Sequence, residues 1–128
     1  MITEDYVSFE VAKLLKEKGF DIPCEYFYVD GKLVKSHGYD CNWNEGESLY
    51  TDYKNECSAP TLQMVMKWLR EVHNKYIEIS IDRAHNFEGI VFRPAIYDGE
   101  LDCLWEYNFL TYEQACEAGI KYCLENLI

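Results

Sequence analysis

The stretch APTLQMVMKWLREVHNKYIEISID, residues 59–82, decides the fold class. Its first part repeats apolar residues at the three- and four-residue spacing of an amphipathic helix, and its second part alternates Ile77, Ile79 and Ile81 with polar residues. Such alternation is typical of a strand with one buried face. A helix that leads directly into a strand of this kind indicates a protein of the α+β class.

The helix of this stretch is predicted to start after an N-cap at Ser58, with Pro60 in the first turn, where its missing N–H is not needed. Its main apolar stripe consists of Leu62, Val65, Met66, Leu69, Val72 and Tyr76. Met64 and Trp68 lie beside this stripe, four residues apart and therefore on one side of the helix. Two interpretations stay open for them: cover by other parts of the same chain, or an interface with a second subunit.

Two further helices are predicted near the ends of the chain. Residues 3–18 have helical spacing, and Gly19 is expected to end the helix with Phe20 packed back on it in a Schellman motif. Thr111 and Gln114 form a capping box at the start of the last helix. The buried stripe of that helix is predicted to contain Tyr112, Cys116, Gly119, Ile120, Cys123, Leu124 and Leu127.

Two Asp-Gly pairs predict β-hairpins. Asp30-Gly31 separates strands expected at 24–29 and 32–36, because a two-residue turn needs positive φ angles. Asp98-Gly99 would pair residues 90–96 with 101–107 and place their apolar residues on one face. Pro94 lacks a donor, which indicates an edge strand or a bulge there.

These elements give the order α-β-β-α-β-β-β-α. We expect a mostly antiparallel sheet with the helices packed on one face, in one globular domain over residues 1–128. No apolar run approaches the roughly 20 residues that span a bilayer, so no membrane association is expected and the cytoplasm is the expected location.

The formal net charge of -11, with 23 acidic and 12 basic residues, argues against direct nucleic-acid binding. Solvation is the simpler explanation of this charge, and a basic partner protein is the alternative.

The six cysteines are predicted to be thiols, since a core of this size does not need disulfides. Cys24, His37, Cys41 and Cys57 were the best candidates for a metal site, but their spacing matches no standard zinc pattern. Cys116 and Cys123 lie on the predicted stripe of the last helix and are expected to be inert. We therefore predict no metal site, no cofactor and no catalytic residue.

The segment 37–57 lacks periodicity but contains Tyr39, Trp43, Tyr50 and Tyr53. A connection this long in a small domain is functional or disordered, or contains an element that the pattern does not reveal. Its aromatic residues either fold back on the core or bind a protein or small ligand. We select Trp43, Tyr50 and Tyr53 as candidate binding residues, together with Met64 and Trp68 of the predicted helix.

The segments YVSFEVAKLLKEKGF, SAPTLQMVMKWLREVHN and TYEQACEAGIKYCLENLI resemble a family of small uncharacterised proteins from gut-bacterial genomes and their phages or mobile elements. This resemblance implies a bacterial cytoplasm and a mobile-element origin, and it assigns no activity, cofactor or catalytic residue.

Two classes of function follow. The first is a small acidic, non-enzymatic protein-interaction module, a mobile-element accessory protein whose sharper version is a DNA mimic and which could form a homodimer. The second is a small enzyme or metabolite-binding protein with a pocket under the 37–57 loop, where His37, His85 or Arg93 would supply polar groups.

Overall fold

The computed structural model describes residues 1–45, 56–83, 89–99 and 107–128. Within these residues the elements, in chain order, are α1 (Phe9–Glu17), β1 (Tyr26–Val29), β2 (Lys32–Lys35), β3 (Glu56–Ser58), α2 (Leu62–His73), β4 (Lys75–Arg83), β5 (Ile90–Asp98) and α3 (Tyr112–Asn126). Helices together with antiparallel sheets confirm the α+β class. The described strands form two sheets, in the orders β2-β1-β3 and β4-β5. The chain clusters into two compact units, Met1–Thr61 and Leu62–Ile128, which are described in turn.

The first unit contains the hairpin predicted at Asp30-Gly31. Strands β1 and β2 are antiparallel and Val29 lies opposite Lys32, so the turn has two residues. Asp30 has φ 49° and Gly31 has φ 81°, which are the left-handed angles that this type of turn requires. The prediction of this hairpin is confirmed.

Helix α1 begins at Phe9, later than the range 3–18 predicted. The hydroxyl of Ser8 caps the helix by accepting a hydrogen bond from the N–H of Val11 (3.2 Å). The residues before Ser8 are not helical because Val7 N–H donates to the carbonyl of Pro60 (3.1 Å) instead. The predicted end is confirmed: Gly19 has φ 83°, and Phe20 N–H donates to the Leu15 carbonyl (3.0 Å) as in a Schellman motif.

Strand β3 corrects two predictions. Its residues fall inside the predicted 37–57 loop and at the predicted N-cap of α2, yet they pair antiparallel with β1, with Ser58 opposite Phe27. Ser58 therefore does not cap α2, which begins at Leu62. Its hydroxyl accepts a hydrogen bond from the N–H of Trp43 (3.0 Å).

In the second unit, β4 and β5 are antiparallel, with Ile77 opposite Ile96 and Ile79 opposite Pro94. Helix α3 packs on this face through Gly119, where an added Cβ would lie 3.0 Å from Ile77 Cγ2 and 3.5 Å from Pro94 Cβ. The glycine thus allows a close approach of the helix to the sheet. Six residues of α3 are buried, namely Ala115, Cys116, Gly119, Ile120, Cys123 and Leu124. Thr111 caps the helix by accepting from Gln114 N–H (3.1 Å), as predicted.

Pro94 fits β5 without the loss of a bond to β4. Phe92 N–H and carbonyl both bond to Phe109, each at 2.8 Å, on the side of β5 away from β4. Backbone groups two residues apart in a strand point to the same side, so the missing N–H of Pro94 also faces away from β4. Most of the predicted partner strand, residues 100–106, lies outside the described residues, as does the predicted pairing of Ile96 with Leu101.

Candidate interaction surface

One face of the β2-β1-β3 sheet packs against the beginning of the chain. The rings of Tyr6 and Tyr26 have centroids 4.3 Å apart, and those of Phe9 and Tyr28 are 5.4 Å apart. The hydroxyl of Tyr28 also donates to the carbonyl of Val7 (2.7 Å). Tyr26 and Tyr28 therefore lie on the face of β1 that packs against the start of the chain, and both are half-buried.

The opposite face is covered in part by Trp43. Its ring lies on that of Phe27, with centroids 3.9 Å apart and an interplanar angle of 19°. Its Nε1 donates to the carbonyl of Cys24 (2.7 Å). The next residue, Asn44, donates through Nδ2 to the Phe20 carbonyl (2.9 Å) and accepts from Ser58 N–H (2.9 Å). Trp43 is thus held by main-chain and side-chain bonds although it remains half-buried.

Two exposed side chains, those of Val34 and Tyr39, lie beside the stacked rings of Phe27 and Trp43. Val34 is opposite Phe27 in the ladder, hence on the same face, and is 37% exposed. Tyr39 is 50% exposed, and its ring centroid lies 6.1 Å from that of Trp43. The Ser36 hydroxyl donates to the Tyr39 carbonyl, which fixes the backbone of this turn. We define Phe27, Val34, Tyr39 and Trp43 as the aromatic surface.

Acidic residues lie next to the aromatic surface in the chain. Asp40 and Glu45 are exposed on either side of Trp43 in sequence. Burial raises the pKa of the Cys24 thiol to about 12, and the negative charge of Asp40 contributes to this rise. Lys35 Nζ lies 3.4 Å from Glu25 Oε1 across the hairpin, so the charges of these two side chains offset each other.

The candidate binding residues predicted from sequence fall in different environments. Trp43 belongs to the aromatic surface, whereas Tyr50 and Tyr53 lie outside the described residues. In the second unit Met64 is half-buried and Trp68 is 5% exposed. The rings of Trp68 and His73 meet edge to face, with centroids 4.5 Å apart. Trp68 is therefore covered within the chain, the first of the two interpretations, and presents little area to a second subunit.

Helix α3 contains two cysteines, Cys116 and Cys123, whose side chains pack in the interior of the second unit. Burial raises the pKa of Cys116 to about 11 and that of Cys123 to about 12. At neutral pH such thiols carry almost no thiolate, which is the nucleophilic form. Both residues are fully buried, in agreement with the prediction that they act as small hydrophobic side chains.

Two of the four residues considered for a metal site, Cys24 and Cys57, have different charged neighbours. The Cys57 thiol lies near the charges of Lys13 and Lys16, while the Cys24 thiol lies near Asp40 and Ser58. Within residues 1–45, 56–83, 89–99 and 107–128, no three side chains of His, Cys, Asp or Glu are grouped as metal ligands.

No protein-family model, curated protein or solved structure matches the chain. Along the part of the chain that the structure describes, none of the helices is both long enough and apolar enough to span a membrane.

Sequence reasoning identified Trp43 but missed Phe27 and Val34, and it included Tyr39 only as part of a loop. The predicted hairpin already placed Phe27 opposite Val34, so that pair could have been found from the Asp30-Gly31 turn. The stacking of Trp43 on Phe27 joins residues 16 positions apart and has no local signal in the sequence.

Proposed function

We propose that this protein is a non-enzymatic protein-interaction module that binds a partner protein through the aromatic surface. The observation that carries the proposal is a tryptophan that is fixed in place by hydrogen bonds and only partly buried, next to a tyrosine that is 50% exposed. Trp and Tyr are the residues that contribute most often to binding hot spots, and rigid ones lose little entropy on binding. No ordering of the surface is needed before a partner binds.

The chemistry of the surface indicates the kind of partner. An apolar or aromatic side chain of the partner would pack against Tyr39 and Trp43, and arginine or lysine residues beside it would face Asp40 and Glu45. A net charge of -11 on the whole chain would speed the approach of such a basic partner. The cytoplasmic location and the mobile-element origin implied by the resemblance are compatible with this role.

DNA mimicry is a narrower version of the same proposal. It requires rows of unpaired acidic residues that resemble the spacing of phosphates. Several carboxylates instead form ion pairs with basic side chains, such as Asp82 with Arg93 (3.6 Å) and Glu125 with Lys121 (3.7 Å). We therefore favour recognition through the aromatic surface over recognition through charge alone. The rival enzyme or metabolite-binding function depends on a pocket under the 37–57 loop, of which residues 46–55 lie outside the described residues.

The proposal is tested by affinity capture from cells of the native host with three versions of the full chain. The wild type, Tyr39→Ala and Tyr107→Ala are compared, because both tyrosines are exposed (50% and 61%) and only the first belongs to the aromatic surface. We expect one protein to be captured by the wild type and by Tyr107→Ala and to be reduced at least about tenfold with Tyr39→Ala, the effect of a hot-spot residue. Equal capture by all three versions would contradict the proposal.

A further inference from the structure

Cys24 and Cys41 lie directly opposite each other in the first unit. The N–H of Cys24 donates to the Cys41 carbonyl (2.8 Å), and the N–H of Cys41 donates to the Cys24 carbonyl (3.1 Å). The two residues form an isolated antiparallel bridge. Both side chains carry free thiols.

The geometry of such a pair suits a disulfide. Residues that exchange both main-chain bonds across an antiparallel pair have Cα atoms about 5.5 Å apart, and their side chains lie on the same face. Natural disulfides join Cα atoms that are roughly 4.4 to 6.8 Å apart, most often near the middle of this range. The backbone therefore already has the separation that a cross-link needs.

We propose that Cys24 and Cys41 are a reversible redox pair that a hydroperoxide converts to a disulfide. This inference is independent of the proposed function, since it rests only on the bridge between the two residues. It also qualifies the prediction that the six cysteines are thiols, because two of them would form a disulfide under oxidising conditions.

The two cysteines differ in ways that assign their roles. Cys41 is half-exposed and can meet a peroxide, whereas Cys24 is 3% exposed and its thiol donates to the Ile22 carbonyl (3.3 Å). In the first step the Cys41 sulfur attacks one oxygen of hydrogen peroxide, the O–O bond breaks, and the departing hydroxide takes the thiol proton to form water. The product is a sulfenic acid on Cys41.

In the second step the Cys24 sulfur attacks the sulfur of that sulfenic acid. The S–S bond forms, the S–OH bond breaks, and hydroxide leaves with the Cys24 proton as a second water. Two thiols and one hydrogen peroxide thus give one disulfide and two waters, so electrons and atoms balance. Because burial raises the pKa of Cys24 to about 12, its thiolate fraction is small at neutral pH, so this second step is expected to be slow there and to accelerate as the pH rises.

The cross-link has a structural consequence next to it. Trp43 is two residues from Cys41, and its Nε1 bonds to the carbonyl of Cys24. A disulfide would tie together the two backbone segments that hold this indole. It would also close the loop that contains the β1–β2 hairpin, which reduces the freedom of the unfolded chain.

The test is oxidation of the reduced, full-length protein by hydrogen peroxide, followed by alkylation of the remaining thiols and peptide mapping. We expect two fewer alkylated cysteines, one peptide pair linked through Cys24 and Cys41, and full reversal by dithiothreitol. The oxidised protein should also unfold at a higher urea concentration than the reduced protein.

Three variants separate the roles. Cys24→Ser should accumulate a sulfenic acid on Cys41 that a dimedone probe captures, and Cys41→Ser should form no cross-link at Cys24. Cys116→Ser, altered in the second unit, should form the cross-link like the wild type. If Cys24→Ser does not fold, Cys41→Ser and the wild type still decide the outcome. Peroxide that oxidises Cys41 further without any link to Cys24, or a link from Cys41 to another cysteine instead, would overturn the proposal.

Discussion

The indole of Trp43 lies almost parallel to the ring of Phe27, with 3.9 Å between the ring centroids. This contact joins the segment after the first hairpin to the middle of β1, and the bond from Trp43 Nε1 to Cys24 O fixes its orientation. The same side chain therefore contributes to stability and forms the centre of the aromatic surface. Its two contributions can be separated by substitution.

We expect Trp43→Ala to destabilise the protein by about 1 to 3 kcal/mol, less than for a fully buried tryptophan because the ring is half-exposed. Trp43→Phe keeps a ring on Phe27 but leaves the Cys24 carbonyl without this donor, so a loss of about 1 kcal/mol is expected. Urea unfolding followed by circular dichroism measures both. If both variants were as stable as the wild type, the stacking of Trp43 on Phe27 would contribute nothing to the stability of the protein.

Gly119→Ala should destabilise the protein although alanine is the better helix former. The new Cβ would lie 3.0 Å from Ile77 Cγ2, an atom that cannot move without a change in the strand or in χ1. Overpacking of this kind costs about 1 to 3 kcal/mol, more than the gain of up to about 1 kcal/mol in helix propensity.

The matched control is the same substitution in an Ile77→Ala background, where the close atom is absent. There Gly119→Ala should be neutral or stabilising, and thermal melts of the four proteins give the coupling between the two sites. An equal loss in both backgrounds would mean that α3 does not approach β4 at Gly119.

Gly99→Val should destabilise the protein by about 1 to 3 kcal/mol, because Gly99 has φ 65° and a β-branched residue is strained there. A Cβ at this position would also lie 2.7 Å from Asn74 Nδ2 and displace that side chain. Gly99→Asn is the control, since asparagine tolerates the left-handed region. Melting temperatures measure the difference, and a valine variant as stable as the asparagine variant would contradict the left-handed conformation of Gly99.

His73 should make stability depend on pH. Its Nε2 is buried without a hydrogen-bond partner among the described residues, and burial, with the charge of Lys75, lowers its pKa below 6.5 in the folded protein. Below the unfolded pKa of about 6.5 the unfolded chain binds a proton that the folded chain does not, so stability falls as the pH falls through this value towards the folded pKa.

His73→Phe keeps a ring beside Trp68 and removes the titration, so this variant should lose less stability than the wild type between about pH 7.5 and pH 5.5. Urea unfolding at each pH provides the measurement. A steeper loss for His73→Phe than for the wild type would reverse the sign of the argument.

Much of the fold was predictable because its signals are local. The ending at Gly19, the turn at Asp30-Gly31 and the cap at Thr111 each depend on a few adjacent residues and are confirmed. Strand β3 was missed because three residues are too few to show alternation. Ser58 was misassigned as a cap because its hydroxyl has a partner, Trp43, that is distant in sequence.

The candidate site was less predictable than the fold. Trp43 could be chosen from its residue type, but its neighbours follow from pairing between separate strands, as does the position of Cys24 opposite Cys41. Trp68 and Trp43 looked equally suitable in sequence, and burial distinguishes them: the first is 5% exposed, while the second is half-buried beside an exposed tyrosine. Burial of this kind depends on contacts that no local pattern records.

Site-specific photocrosslinking tests the interaction function most directly. A photoreactive phenylalanine analogue would replace Tyr39 in the full chain, expressed in the native host, and the same analogue would replace Tyr107 in a control protein. We expect position 39 to yield a single crosslinked partner with basic residues at its contact site, and position 107 to yield none. No crosslinked partner at position 39 in a folded protein, or the same partner from both positions, would show that the aromatic surface is not the binding site.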